Sequence, residues 1–246
     1  MRNKSIISLV FVILCLAVNL QGQTKFDLES GFVFAGYSDA RIPGDTGTLF
    51  SLTDDLNAET PPFVRIRVTQ NLGKKHSLSV LYAPLTVKSE GTFDDLVNFE
   101  GINFPADEKM KATYRFDSYR LTYRYDFVKK PMTEFGIGFT AKIRDAEISL
   151  SGGGLSAKKS NTGFVPILNF KLNHTLNERF SLLFEGDALA APQGRAEDIY
   201  AGVRYKLADW AKLKVGYRLL EGGADNDEVY NFALFHYATV GFELGY

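Results

Sequence analysis

The chain has 246 residues, 45% of them hydrophobic, with a formal net charge of −1. That balance gives no overall electrostatic reason to expect a nucleic-acid partner. A single cysteine excludes a disulfide-stapled scaffold, and the length suits one large domain or two small ones.

The one long apolar run is Ile6 to Leu20, preceded by Arg2 and Lys4 and followed by Gln21, Gly22 and Gln23. A basic start, a short apolar stretch and a small residue before a polar chain describe a secretory signal peptide. The run is shorter than the roughly 20 apolar residues that a helical span needs. The expected organisation is therefore a signal peptide over 1–22 and a single domain over 23–246. Cys15 falls inside the signal, and Leu14 before it is too large for a lipoprotein cleavage site.

From there to the end the apolar residues recur with period two, the mark of half-buried strands. The segments Phe26 to Tyr37 and Ser77 to Val87 are noisy, but Val64, Ile66 and Val68 alternate cleanly with Arg65, Arg67 and Thr69. Tyr119 to Phe127, Phe135 to Ile143, Phe164 to Leu172 and Phe180 to Ala188 follow the same rule. In the next segments Ile199 to Leu207 alternate with Asp198, Arg204 and Lys206, and Ala211 to Leu219 with Lys212, Lys214 and Arg218. The last segment sets Ala238, Val240, Phe242, Leu244 and Tyr246 against Thr239, Gly241, Glu243 and Gly245. The count is about ten strands, or eight if the noisy segments fail.

The connections alternate in length. Short ones lie at Leu72 to His76, Val128 to Met132, Asn173 to Glu178 and Ala208 to Trp210. Long ones are expected at Ser38 to Pro61, Lys88 to Thr113, Ser151 to Thr162 and Glu221 to Glu228, with a shorter one near Pro192 to Glu197 in the same alternating slot. Short periplasmic turns alternating with long extracellular loops characterise an antiparallel up-and-down transmembrane β-barrel, the all-β fold expected here.

A soluble barrel would also alternate, so the two faces must decide. Aromatic residues recur at both ends of the apolar face: Phe26, Phe127, Phe135, Phe180, Tyr205 and Tyr246 toward the short turns, and Tyr82, Tyr119, Phe164 and Tyr217 toward the loops. Two such belts mark two lipid interfaces. The opposite face carries glycine (Gly136, Gly138, Gly202, Gly216, Gly241) together with charge, as a crowded lumen would. Its basic members are Arg65, Arg67, Arg120, Arg124, Lys142, Arg144, Lys171, Arg204, Lys206, Lys212, Lys214 and Arg218. Its acidic members are Asp27, Glu29, Asp126, Glu134, Glu185, Asp187, Asp198 and Glu243. In a barrel of eight to ten strands such groups can fill the interior and pair with one another. The rival reading is a narrow pore whose positive excess gives a mild preference for anions.

A final strand running through Phe242 and Leu244 to a terminal Tyr246 resembles the C-terminal insertion signal of Gram-negative outer-membrane proteins. The resemblance implies a bacterial outer-membrane location, outer-membrane lipid as surroundings and the barrel-assembly machinery as the partner during insertion. It implies nothing about activity.

Ten strands also resemble the omptin proteases, which use paired acids and a His–Asp couple at the extracellular rim. The histidines here are His76, His174 and His236. The first two fall at the short-turn end, and His236 shares the lipid-facing parity of Leu234 and Ala238. A lipid-facing histidine resembles the site of lipid A deacylases, but no serine with a supporting acid accompanies it. Gly152-Gly153-Gly154 precedes no helix or Lys-Ser/Thr pair, so it reads as a hairpin tip and not a phosphate loop. Acid clusters at Asp54–Asp55, Asp94–Asp95 and Asp225–Asp227–Glu228 lack EF-hand spacing. No cofactor and no metal site is expected. The function expected is a structural or surface-interaction role through the loops, with the small pore next and a lipid-modifying or proteolytic enzyme after it.

Overall fold

The computed structural model describes residues 23–192 and 194–245. The expected signal peptide, Cys15 and the terminal Tyr246 lie outside the described residues. The strands are β1 (Thr24–Arg41), β2 (Phe50–Ser51), β3 (Leu56–Ala58), β4 (Pro62–Leu72), β5 (His76–Ala83), β6 (Thr86–Thr92), β7 (Val97–Phe99) and β8 (Ile102–Phe104). They continue as β9 (Lys109–Lys129), β10 (Thr133–Gly152), β11 (Leu155–Thr175), β12 (Phe180–Ala191), β13 (Gly194–Ala208), β14 (Ala211–Asp225) and β15 (Tyr230–Gly245).

Ten of them, β1, β4, β5 and β9 to β15, form a closed antiparallel wall in chain order. Closure comes from β15, which pairs with β14 on one side and with β1 on the other, Leu244 opposite Phe26 and Phe242 opposite Leu28. No backbone edge is left open there, which is the condition for a sheet to sit in lipid. The count of ten is met, including both noisy segments.

The alternation sets the wall's two faces. On β14, Val215 is 54% exposed and Tyr217 points outward with it, whereas Lys214 and Arg218 are each 1% exposed. The apolar face is therefore outside and the charged face inside, the reverse of a soluble barrel. The aromatic pairs Phe127–Phe135 and Phe180–Tyr205 ring the short-turn end, and Tyr82 stacks on Tyr119 at 5.1 Å toward the other.

Two of the expected long loops, and the shorter connection near Pro192, prove to be largely strand. Residues Ser151–Thr162 belong to a tight β10–β11 hairpin, turned at Gly153 and Gly154 with φ of 56° and 77°. These are left-handed conformations that glycine adopts without strain. Likewise β14 runs on to Asp225, and the β12–β13 hairpin turns just after Ala191. The two remaining loops, 42–61 and 93–108, fold back over the wall's open end and carry β2, β3, β7 and β8.

Those loops bury a second interior layer, which is apolar. Phe50 packs edge-on against Phe93 and Phe99, with ring centroids at 5.6 and 5.7 Å. Phe99, Phe104, Met110 and Leu150 are fully buried around them. Each such side chain contributes about 1.5–3 kcal/mol by leaving water. The wall strands supply the rest of this layer by inverting their polarity. On β9, Tyr114 and Phe116 point inward while Arg115 and Asp117 point outward, whereas lower down Arg120 and Arg124 point inward and Leu121 and Tyr123 outward. On β15 the change falls between Thr239 and Tyr237, the latter buried and edge-on to Phe63 at 4.9 Å.

Candidate functional site

Charge fills the lower interior. Because inward positions recur every second residue, neighbouring strands deliver Asp27 and Glu29 (β1), Arg65 and Arg67 (β4), Arg120 (β9), Glu185 and Asp187 (β12), Asp198 (β13) and Lys214 and Arg218 (β14) to adjacent heights. Asp198 accepts from Arg65 at 2.8 Å and Arg218 at 2.6 Å, and Arg120 forms an ion pair with it at 2.6 Å. Glu29 accepts from Arg218 at 2.7 Å and from Lys214 at 2.7 Å, and Lys214 also reaches Asp27 at 2.5 Å. Arg120 donates to Asp187 at 2.7 Å, and Asp187 further accepts from Thr140 at 2.7 Å and Asn169 at 2.9 Å. The Lys214 ammonium and Arg218 guanidinium both lie over the Tyr200 ring, at 5.3 and 5.1 Å.

Several of these contacts cross the lumen. Arg67 on β4 bonds Glu185 on β12 at 3.1 Å, between strands five places apart around the ten-strand wall. Toward the short-turn end Glu243 accepts from Arg204 at 3.1 Å and pairs with Lys212 at 3.6 Å, and Arg204 also donates to Asn173. Arg124 pairs with Asp126 at 3.3 Å. Desolvated charges at this density are costly unless each finds partners, and most here find two or three.

Three sequence-predicted lumen residues lie outside the ion-paired network. Lys206, near the end of β13, is exposed and pairs with Asp209 in the turn at 2.5 Å. Arg144 stands above the charged layer and bonds only Asn161, at 3.1 Å. Lys142 is buried but forms no hydrogen bond or ion pair with a described residue, its ammonium 4.8 Å from the Phe116 ring. Both line a cavity of about 520 Å³ at the base of the apolar layer. Nothing in the sequence reading separated these two from the paired cations. The signal that could have done so is the change from inward charge to inward Ala146 and Ile148 immediately above them.

Among the described residues, the one group of three acids whose oxygens converge within 4.8 Å is Asp27, Glu29 and Glu185. Lys214, Arg218 and Arg67 already neutralise it. The loop acids serve locally, as Asp55 does by accepting from the Ser51 backbone at 2.7 Å. The histidines all meet hydroxyls: His76 with Tyr123 at 2.7 Å, His174 with Thr133 at 3.0 Å, and His236 with Tyr217 at 2.5 Å on the outer wall. Opposite His236 the wall bulges at Gly36, where a Cβ would come within 2.7 Å of the imidazole Nε2. No carboxylate orients any of the three rings among these contacts, so the His–acid couple of a protease is not formed.

The fold is that of the outer-membrane β-barrel proteins. It is similar to the outer membrane protease OmpT from Escherichia coli, with a TM-score of 0.60 at 9% identity, over 94% of this chain and 100% of that one. Likenesses with lower TM-scores are the translocator domain of the autotransporter NalP from Neisseria meningitidis (0.47, 13% identity, 99% of this chain and 95% of that) and Ail, the attachment invasion locus protein of Yersinia pestis (0.41, 9% identity, 92% and 100%). At such identities the likeness concerns the fold alone. No family model matches the chain, and no curated protein matches it by sequence.

Proposed function

We propose that the chain resides in a Gram-negative outer membrane as a sealed barrel with a structural or surface-interaction role, presenting its folded cap to the outside. The observation carrying this reading is the cross-lumen pairing of Arg67 with Glu185, reinforced by Arg65, Arg120 and Arg218 converging on Asp198. A conducting path would have to break these bonds, and separating buried partners costs about 3–5 kcal/mol each. The apolar layer above, closed by loops 42–61 and 93–108, is a second obstacle to ions. Insertion by the barrel-assembly machinery fits the outward Phe242 and the half-buried Leu244 on the closing strand. The positive lumen excess supports an anion pore only if the plug yields, and the histidine surroundings favour no protease.

Planar-bilayer recording tests the sealed reading. The wild-type protein is expected to give no steady channel events up to the voltage at which the bilayer itself fails. Replacing Asp94–Asp107 by a short linker should leave it silent, because the charged layer remains. Regular wild-type conductance steps would overturn the reading in favour of the pore.

A further inference from the structure

The barrel wall is not equally high all the way round. β11 pairs with β10 along its whole length, Gly152 opposite Leu155 through Thr133 opposite His174. On its other side it pairs with β12 only from Leu168 to Thr175. From Leu155 to Ile167 that edge pairs with no strand: the ladder stops at Leu168 opposite Ala188, although β12 continues to Ala191. Pro166 lies on this stretch, and proline belongs on an unpaired edge, where its missing donor costs nothing. Further up, Lys158 pairs with Glu147 on the neighbouring β10 and Lys159 with Glu100 of the loop 93–108.

The gap opens at the level of lipid. Phe164, 65% exposed, pairs with Ile143, which pairs with Tyr119 beside Tyr82, so the opening crosses the upper aromatic belt and ends just below it, at Leu168. Behind it is the cavity of about 520 Å³, lined by Phe164, Pro166 and Leu189 on this side and reaching Asn226 and Val229 at the β14–β15 turn. This is the size of a small-molecule site. Inside, Phe116, Ile148, Leu220 and Phe235 make apolar walls.

The charged lining residues are Lys142, Arg144, Lys159 and Arg195 against Glu147, Glu221 and Glu228. Lys142 is 3% exposed and its ammonium has no hydrogen bond or ion pair with a described residue. The nearest acids are engaged elsewhere: Asp187 by Arg120, and Asp198 by Arg65, Arg120 and Arg218. Arg144, one inward position higher, is held only by the Asn161 side chain. The other cations along the wall are neutralised, Arg195 by Glu221 at 2.7 Å and Lys159 by Glu100 at 3.2 Å. A buried charge without a partner is costly, and an anion placed beside it removes that cost.

We propose that this cavity binds a single-chain anionic amphiphile that enters sideways from the outer leaflet between β11 and β12. The head group sits against Lys142 and Arg144, and the chain runs along the apolar wall and out past Phe164 and Leu189. A fatty carboxylate and an alkyl phosphate share the required chemistry. The site is independent of the sealed-lumen reading, since the ligand enters through the wall above the ion-pair plug.

The test is photolabelling of the full chain in phosphatidylcholine vesicles with a diazirine-bearing palmitate, followed by peptide mapping. Label is expected to concentrate on Phe164–Leu168 and Leu189–Ala191. Excess palmitate or hexadecyl phosphate should compete it away, the stronger competitor identifying the head group, while hexadecanol should not. Lys142→Met should reduce this labelling at least tenfold, and Lys142→Arg should retain it, both variants keeping the heat-modifiable migration of a folded barrel. Even labelling around the outer wall, competition by hexadecanol equal to that by palmitate, or unchanged labelling of folded Lys142→Met would overturn the proposal. None of these outcomes bears on bilayer conductance, so the two readings fail separately.

Discussion

Arg218 and Lys142 are almost equally hidden, at 1% and 3% exposure, yet their surroundings give them opposite energetic signs. Arg218 donates to both Glu29 and Asp198. Arg218→Met therefore strands buried carboxylates and should cost about 3–5 kcal/mol, read from urea unfolding in lipid vesicles. Lys142 has no carboxylate partner, so Lys142→Met removes a charge held only against the Phe116 ring. Its unfolding midpoint in the same assay should be unchanged or higher. Lys206→Met, at an exposed turn position, should fall within about 0.5 kcal/mol of wild type. A large loss at Lys206 would mean that it belongs to the lumen network after all.

At the scale of the strand, the governing feature is the inversion of polarity part-way along β9, β10 and β15. Below the Tyr82–Tyr119 stack the outer face meets lipid, and above it the outer face carries Arg115, Asp117, Asp145 and Glu147, tied by ion pairs. Val215→Arg, on the lipid-facing part of β14, should cost about 2–4 kcal/mol of folding free energy in bilayers. Ser149→Arg, on the outer face of upper β10, should change it by less than about 0.5 kcal/mol. The same inversion explains what could be read beforehand. From Ala211 to Leu219 the apolar and charged faces separate cleanly, and strand, parity and lipid side all follow from sequence. From Ser151 to Thr162 the lipid-type pattern stops, and its loss resembles the loss of the strand. The strand continues with its outer Ser160 and Lys158 facing water and its inner Ala157 facing the core. Which loops fold inward was not legible either, since Phe50, Phe99 and Phe104 acquire partners only through contacts distant in sequence. The unpaired state of Lys142 was hidden for the same reason, because parity places a side chain inside without saying which acids are already taken.

For the whole molecule, these strands combine two kinds of barrel in one continuous wall. β9 to β11 have 20 or 21 residues each, at about 3.3 Å per residue. With a tilt near 40° they rise roughly 50 Å, about twice the height of a typical outer-membrane apolar band. The lower half has an apolar outer face around an ion-paired interior, and the upper half has a charged outer face around an apolar core. The lateral cavity lies where the two halves meet. The most direct test is spin-label accessibility in phospholipid vesicles, with single cysteines placed in a Cys15→Ser background. Labels at Leu121, Tyr123, Ile137 and Phe139 should collide with dissolved oxygen and be shielded from an aqueous nickel chelate. Labels at Thr113, Arg115, Glu147 and Ser149 should show the reverse. If the nickel chelate reached the first set as readily as the second, the wall would be facing water throughout and the membrane barrel would be contradicted.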